Sequence, residues 1–135
     1  MFLKNKIKAF LNKPFLRKIL NKFFLKNKIS VSKGNVLNID RLISKSDIKI
    51  CGKNNTVNIK RGAKSKIKIF INWNGNKINV QENVFLGDTV FWIEEDNSEI
   101  TIGKNTTLSG KIQFSAIEGT KITVGEDCLF SDTID

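Results

Sequence analysis

Histidine is absent from these 135 residues. Its absence removes the side chain most often used as a general base near neutral pH, and the commonest metal ligand. The two cysteines, Cys51 and Cys128, form no metal-ligand spacing. With no secretory signal they read as reduced thiols of a cytosolic protein. No apolar run approaches the roughly 20 residues of a membrane span. Lysine interrupts every apolar stretch of the first 29 residues, so no signal-peptide core exists there either. Acid is missing from one region: residues 1–28 carry nine Lys or Arg and no Asp or Glu. Nearly all of the net charge of +10 therefore belongs to this N-terminal arm.

What the chain does have is a short phrase written five times. It reads Gly34-Asn35-Val36-Leu37-Asn38-Ile39, Asn54-Asn55-Thr56-Val57-Asn58-Ile59 and Gly75-Asn76-Lys77-Ile78-Asn79-Val80. It returns as Asn97-Ser98-Glu99-Ile100-Thr101-Ile102 and Gly119-Thr120-Lys121-Ile122-Thr123-Val124. The copies begin 20, 21, 22 and 22 residues apart. A near-constant period of this size marks a solenoid, in which each repeat buries its apolar face only against the next. Within each copy a turn-prone pair precedes an apolar–polar–apolar triplet, the alternation of a short strand. The fold class this predicts is an all-β solenoid, a parallel β-helix of about 20–22 residues per coil. Residues 29–77 hold eleven basic and two acidic groups, and residues 78–135 hold three basic and eleven acidic. Stacked in order, the coils run from a basic end to an acidic one.

In the arm, Leu3, Ile7, Phe10, Leu11, Phe15, Leu16, Ile19, Leu20, Phe23 and Phe24 recur at helical steps. Pro14 predicts a kink or the first turn of a second helix. The domain reading is a basic amphipathic arm over 1–30, followed by a β-helix over 31–135 that is incomplete at its C-terminus. Two roles suit the arm. In one it lies on an anionic membrane with its aromatics inserted and Lys4, Lys6, Lys8, Lys13, Arg17, Lys18 and Lys22 at the headgroups. In the other it caps the open apolar end of the first coil. Nucleic-acid binding is a third and weaker option: no recognisable module stands beside the arm, so no nucleic-acid partner is expected.

Each phrase runs into a second pattern of six-residue units. Val80-Gln81-Glu82-Asn83-Val84-Phe85 precedes Leu86-Gly87-Asp88-Thr89-Val90-Phe91, and Ile102-Gly103-Lys104-Asn105-Thr106-Thr107 precedes Leu108-Ser109-Gly110-Lys111-Ile112-Gln113. The last pair is Val124-Gly125-Glu126-Asp127-Cys128-Leu129 and Phe130-Ser131-Asp132-Thr133-Ile134-Asp135. The first residue of a unit should point into the coil, and the second should turn the corner, where glycine supplies positive φ. This resembles the hexapeptide-repeat acyltransferases, whose units build the three flat sides of a left-handed parallel β-helix. Two regular units and a longer third side account for the coil length here. Right-handed β-helices have comparable and irregular coils, but tandem units ending in Val124-Gly125-Glu126-Asp127-Cys128 favour the left-handed class.

The resemblance covers residues 34–135 and is nearest to bacterial O-acetyltransferases that modify surface polysaccharides. It implies a carbohydrate acceptor, acetyl-CoA as cosubstrate in a groove between neighbouring β-helices of a homotrimer, and a histidine base. It implies a cytoplasmic enzyme, peripheral on the inner face of the membrane if the arm binds lipid. This sequence has no such histidine, so the expectation is a truncated or partial enzyme, inactive alone and binding acetyl-CoA poorly. No catalytic residue and no metal ligand is assigned, and the cofactor-binding residues stay unknown.

Two other readings stand beside it. One is a noncatalytic scaffold that docks on membranes through residues 1–28. The other is a carbohydrate-active right-handed β-helix using Glu94, Glu95 and Asp96 as paired carboxylates, although three adjacent acids on a loop repel one another and a solvated corner is the favoured account of them. Trp73 sits on a turn, where it could stack on a sugar ring or pack over a neighbouring coil. Three columns are expected in the core: Ile71, Trp92 and Phe114; Ile69, Val90 and Ile112; and Val84, Thr106 and Cys128. The Asn38, Asn58, Asn79, Thr101, Thr123 column is expected to face outward as a hydrogen-bonded ladder.

Overall fold

Every copy of the phrase opens with a residue in the left-handed backbone region. Gly34, Asn54, Gly75, Asn97 and Gly119 have φ of 90°, 60°, 70°, 60° and 71°, a conformation that glycine and asparagine adopt most readily. The chain bends there because these residues let it. The computed structural model describes residues 2–11 and 13–131, and within them the repeats stack as a parallel β-solenoid of about five turns.

Two short helices come first, α1 (Phe2–Leu11) and α2 (Pro14–Phe23), with Pro14 in the first turn of the second. One sheet then carries β1 (Lys28–Val31), β3 (Asp47–Ile50), β5 (Lys66–Ile71), β7 (Phe85–Glu94), β9 (Thr107–Ile117) and β11 (Leu129–Ser131). The other carries β2 (Val36–Ile39), β4 (Thr56–Ile59), β6 (Lys77–Val80), β8 (Glu99–Ile102) and β10 (Lys121–Val124). Neighbours in both sheets are parallel and follow sequence order, so the basic coils and the acidic coils occupy opposite ends of the stack. The first coil opens at Lys28, slightly before the boundary expected at residue 31.

The third side has no continuous strand and is held by backbone bonds between successive coils. Asn83, Asn105 and Asp127 donate their N–H groups to Arg61, Glu82 and Lys104 at 2.9, 3.2 and 2.9 Å. These three donors occupy the fourth position of successive six-residue units, and all have positive φ. The positive φ therefore falls two residues later than expected from the unit's glycine. Gly103 is needed for another reason: a Cβ there would lie 2.5 Å from the carbonyl carbon and oxygen of Gly125.

The core is built from aliphatic columns. Val57, Ile78 and Ile100 face inward along one sheet, as do Ile59, Val80 and Ile102 beside them. Each such side chain contributes about 1.5–3 kcal/mol relative to leaving it in water. In the other sheet the true columns are Ile69–Phe91–Phe114 and Ile71–Ile93–Ala116. Phe91 and Phe114 stack at 5.8 Å with their planes 16° apart.

Two expected core columns are thereby corrected. Trp92 pairs with Phe70 and Ser115 on the outer face and is 38% exposed, and Val90 pairs with Lys68 and Gln113 beside it. The cause is a register shift between Leu86 and Asp88: Leu86 pairs with Leu108, but Asp88 pairs with Lys111. One extra residue moves a side chain to the opposite face of a sheet. The third column stands: Val84 and Thr106 are fully buried, and Cys128 packs against the core. The second unit of the last coil runs into residues 132–135, outside the described residues.

Two asparagine ladders run along the stack. Asn38 donates to Asn58 at 3.0 Å, and Asn58 to Asn79 at 3.5 Å, on the outward column where a ladder was expected. The second is buried and was read only as turn-prone residues. The Oδ1 atoms of Asn35, Asn55 and Asn76 accept the backbone N–H of Asn55, Asn76 and Ser98 at 3.0, 2.9 and 2.8 Å. At the corner, where strand pairing lapses, side-chain amides supply the bonds the backbone lacks.

Candidate functional site

Trp73 lies in the turn between β5 and β6 and is 40% exposed. The corners of the next two coils rise beside it, and together they enclose a shallow depression of about 690 Å³ lined by Trp73, Glu95, Asp96, Asn97, Glu118 and Gly119. The turns are fixed by left-handed residues: φ is 69° at Glu95, 60° at Asn97 and 56° at Glu118. They are also bonded to one another. Asp96 accepts the backbone N–H of Asn74 at 2.8 Å, and the Glu95 carbonyl accepts from Asn76 Nδ2 at 3.0 Å. An exposed indole and three acidic residues thus border one depression.

The structure brings together only part of the acidic cluster read from the sequence. Glu94 ends β7 on the sheet's outer face, where it accepts from Trp92 Nε1 at 2.8 Å. Glu95 and Asp96 belong to the Trp73 corner. Glu118 joins them there and was missed, although it precedes Gly119 as Asp96 precedes Asn97, one coil earlier. Cys128 sits elsewhere, its thiol 3.4 Å from the Glu126 carbonyl. Among the described residues, no group of three or more acidic or cysteine side chains is placed to hold a metal ion.

A second surface lies on the outer face of the long strands. Lys66 and Asp88 pair at 3.6 Å, and with Lys68, Val90, Lys111 and Gln113 they border a depression of about 410 Å³. Phe70 and Trp92 lie beside it, ring centroids 5.4 Å apart. The charged groups thus gather at one end of this face, and the two aromatics pair at the other.

The arm presents a third. Lys4, Lys6, Lys13, Lys18 and Lys22 are exposed, whereas the side chains of Ile7, Lys8, Phe10 and Leu11 lie outside the described residues. Arg17 departs from the expected membrane-facing set. Its side chain is only 10% exposed and pairs with Asp40 on the first coil. One helical turn on, Asn21 is buried too: its Nδ2 donates to the Arg41 carbonyl at 2.9 Å, and its Oδ1 accepts the Ile43 N–H at 3.0 Å. Asn27 continues the cap, donating to the Ile43 carbonyl at 2.8 Å and accepting the Ser46 N–H at 3.0 Å. These amides occupy the backbone groups a preceding coil would otherwise have bonded.

α2 therefore docks through its polar side. It does not plug the apolar end of the stack. Ile29, Val31, Leu37 and Ile39 instead border a gap of about 380 Å³ faced by Lys18, Asn21 and Lys22 of the helix.

No protein-family model matches this chain, and neither does any curated protein or solved structure.

Proposed function

We propose that these residues are the coil-building part of an acetyl-CoA-dependent sugar O-acetyltransferase of bacterial surface-polysaccharide assembly. The observation that carries the reading is the six-residue unit in three dimensions. Val80, Ile102 and Val124 lie in register one coil apart, and Val84, Thr106 and Cys128 repeat four residues after them. Leu86 and Leu108 then open the next unit in register. Inward residues at the first and fifth positions are what the hexapeptide resemblance requires of its flat sides. The first unit of each coil meets this, whereas in the second unit the shift after Leu86 turns the fifth residue, Val90, outward.

In acetyl transfer a sugar hydroxyl attacks the thioester carbonyl, the carbon–sulfur bond breaks, and the hydroxyl proton passes through a base to the departing thiolate. That base needs a pKa near neutrality and hydrogen-bond reach. This sequence contains no histidine, so in this reading the base lies outside these residues. The Trp73 corner is the surface here best suited to hold part of the acceptor. An enzyme drawing on acetyl-CoA works on the cytoplasmic side of the membrane, and the resemblance favours a trimer.

The test compares residues 1–135 with the polypeptide encoded by the whole reading frame at its locus. Both are incubated with acetyl-CoA and surface-glycan fragments, and acetylated product is measured by mass spectrometry. The longer product should transfer acetyl and lose activity when a histidine it adds is replaced by alanine. Residues 1–135 should not exceed a no-protein control. A reading frame that supplies no histidine, or a longer product without transfer, sinks the reading.

A further inference from the structure

The helical arm is amphipathic, yet the side it turns toward the solenoid is the polar one. Arg17 and Asn21, four residues apart, are the buried residues of α2. Residues on one side of a helix cannot face the body while those opposite do the same. Accordingly Phe15 and Phe23 are 75% and 68% exposed, and Phe24 just beyond the helix is 69% exposed. Leu3 of α1 is 71% exposed. Monomeric surfaces rarely leave several large apolar side chains together in water.

We propose that this face docks on an anionic lipid bilayer. Charge selects that occupant. Residues 1–28 contain nine basic groups and no acid, so the arm itself brings no negative charge to the aromatic face. Arg17 among them is turned away from that face, buried against Asp40. Lys18 and Lys22 on α2, with Lys13 just before it, are exposed at the flanks of that face. Lysines at the level of phosphate groups and phenylalanines below them are the arrangement of a helix lying in the membrane interface. No helix among the described residues is long and apolar enough to cross a membrane, so the contact is with one leaflet. The Arg17–Asp40 pair and the Asn21 bridge to Arg41 and Ile43 hold α2 against the first coil. The solenoid would thus be carried on the membrane by its basic end. This inference stands apart from the acetyl-transfer reading, since it needs no catalytic group.

The experiment is co-sedimentation of the full chain with vesicles of equal parts phosphatidylglycerol and phosphatidylcholine, alongside vesicles of phosphatidylcholine alone. The wild-type chain should pellet with the anionic vesicles, release as salt is raised, and pellet weakly with the neutral ones. The variant Phe15→Ser, Phe23→Ser, Phe24→Ser should lose about tenfold or more in affinity, because inserted aromatic area is removed. These side chains make little contact with the body, and an unchanged circular dichroism melt confirms that the variant folds. Sedimentation velocity without lipid distinguishes the other occupant. A wild-type dimer that the triple substitution converts to monomer, with no vesicle binding by either, overturns the proposal in favour of a second copy of this chain. Equal binding to neutral vesicles, or an unaffected triple variant, overturns it as well.

Discussion

Arg41 Nη1 donates to the carbonyl of Val84, 43 residues further along the chain, at 2.6 Å. On the way its Nε bonds the Lys60 carbonyl at 2.8 Å, so one side chain ties together three successive coils. Burial pulls this guanidinium down from its ordinary value to about 10, and the neighbouring Asp40 offsets part of that fall. It remains charged at neutral pH, and a buried charge is tolerated only where acceptors are aimed at it. The first coil has no coil before it. Arg41 binds it from within, while Asn21 and Asn27 cap it from outside.

Gly62 tests this arrangement. A Cβ at Gly62 would lie 2.7 Å from Cζ and Nη2 of Arg41. The guanidinium cannot swing away without releasing its carbonyl partners. Gly62→Ala should therefore destabilise the fold by about 1–3 kcal/mol. Denaturant titration should show a lower midpoint at an unchanged slope. A midpoint equal to wild type would mean that the guanidinium is loosely held.

The two asparagine ladders should differ sharply in worth. Asn55 is buried and bonds the carbonyls of Cys51 and Trp73 at 2.9 and 2.6 Å while accepting the Asn76 N–H. Asn55→Ala strands those buried groups and should cost about 2–4 kcal/mol. Asn58, on the outward column, can be replaced by water at its partners, and Asn58→Ala should cost less than about 1 kcal/mol. Equal losses in the two variants would contradict the assignment of the inner ladder as structural.

How far these features could be read in advance depends on how local they are. The coil was legible because a left-handed corner constrains residue type at one position, as at Asn54 and Asn97, and strand alternation follows immediately. The docking side of α2 was not. Its amphipathic stripe is visible in sequence, but Arg17 and Asn21 face the body because of Asp40, Arg41 and Ile43, which only folding brings near. Glu94, Glu95 and Asp96 are contiguous in sequence and separate in space, because β7 ends at Glu94 and the backbone reverses at Glu95. Phe91 and Trp92 exchanged roles for a similar reason: the extra residue opposite Gly87 cannot be located by counting a fixed period.

That exchange makes its own prediction. Phe91 is fully buried and stacked on Phe114, whereas Trp92 lies outside with Phe70. Phe91→Ala should cost about 3–5 kcal/mol by opening a cavity. Trp92→Ala should cost about 1 kcal/mol, since it forfeits one aromatic contact and an exposed hydrogen bond. Unfolding titrations of the two variants decide the register; the reverse order would restore Trp92 to the core.

Glu82 gives the chain a dependence on acid. Its carboxyl is held below the usual 4.5, chiefly by a bond from its own backbone N–H, then by Lys60 at 3.5 Å and by Lys104, with desolvation opposing. The folded state thus favours the ionised form, and between the folded and unfolded values the unfolded chain binds more protons. Stability from this group is fully present above the unfolded value near 4.5 and is lost as pH falls through the lower folded one. Because the side chain lies in solvent, the effect should be modest and should weaken with salt. Thermal midpoints measured from neutral pH into acid should fall less steeply for Glu82→Gln than for wild type. Identical slopes would show that the carboxylate gains nothing from its surroundings on folding.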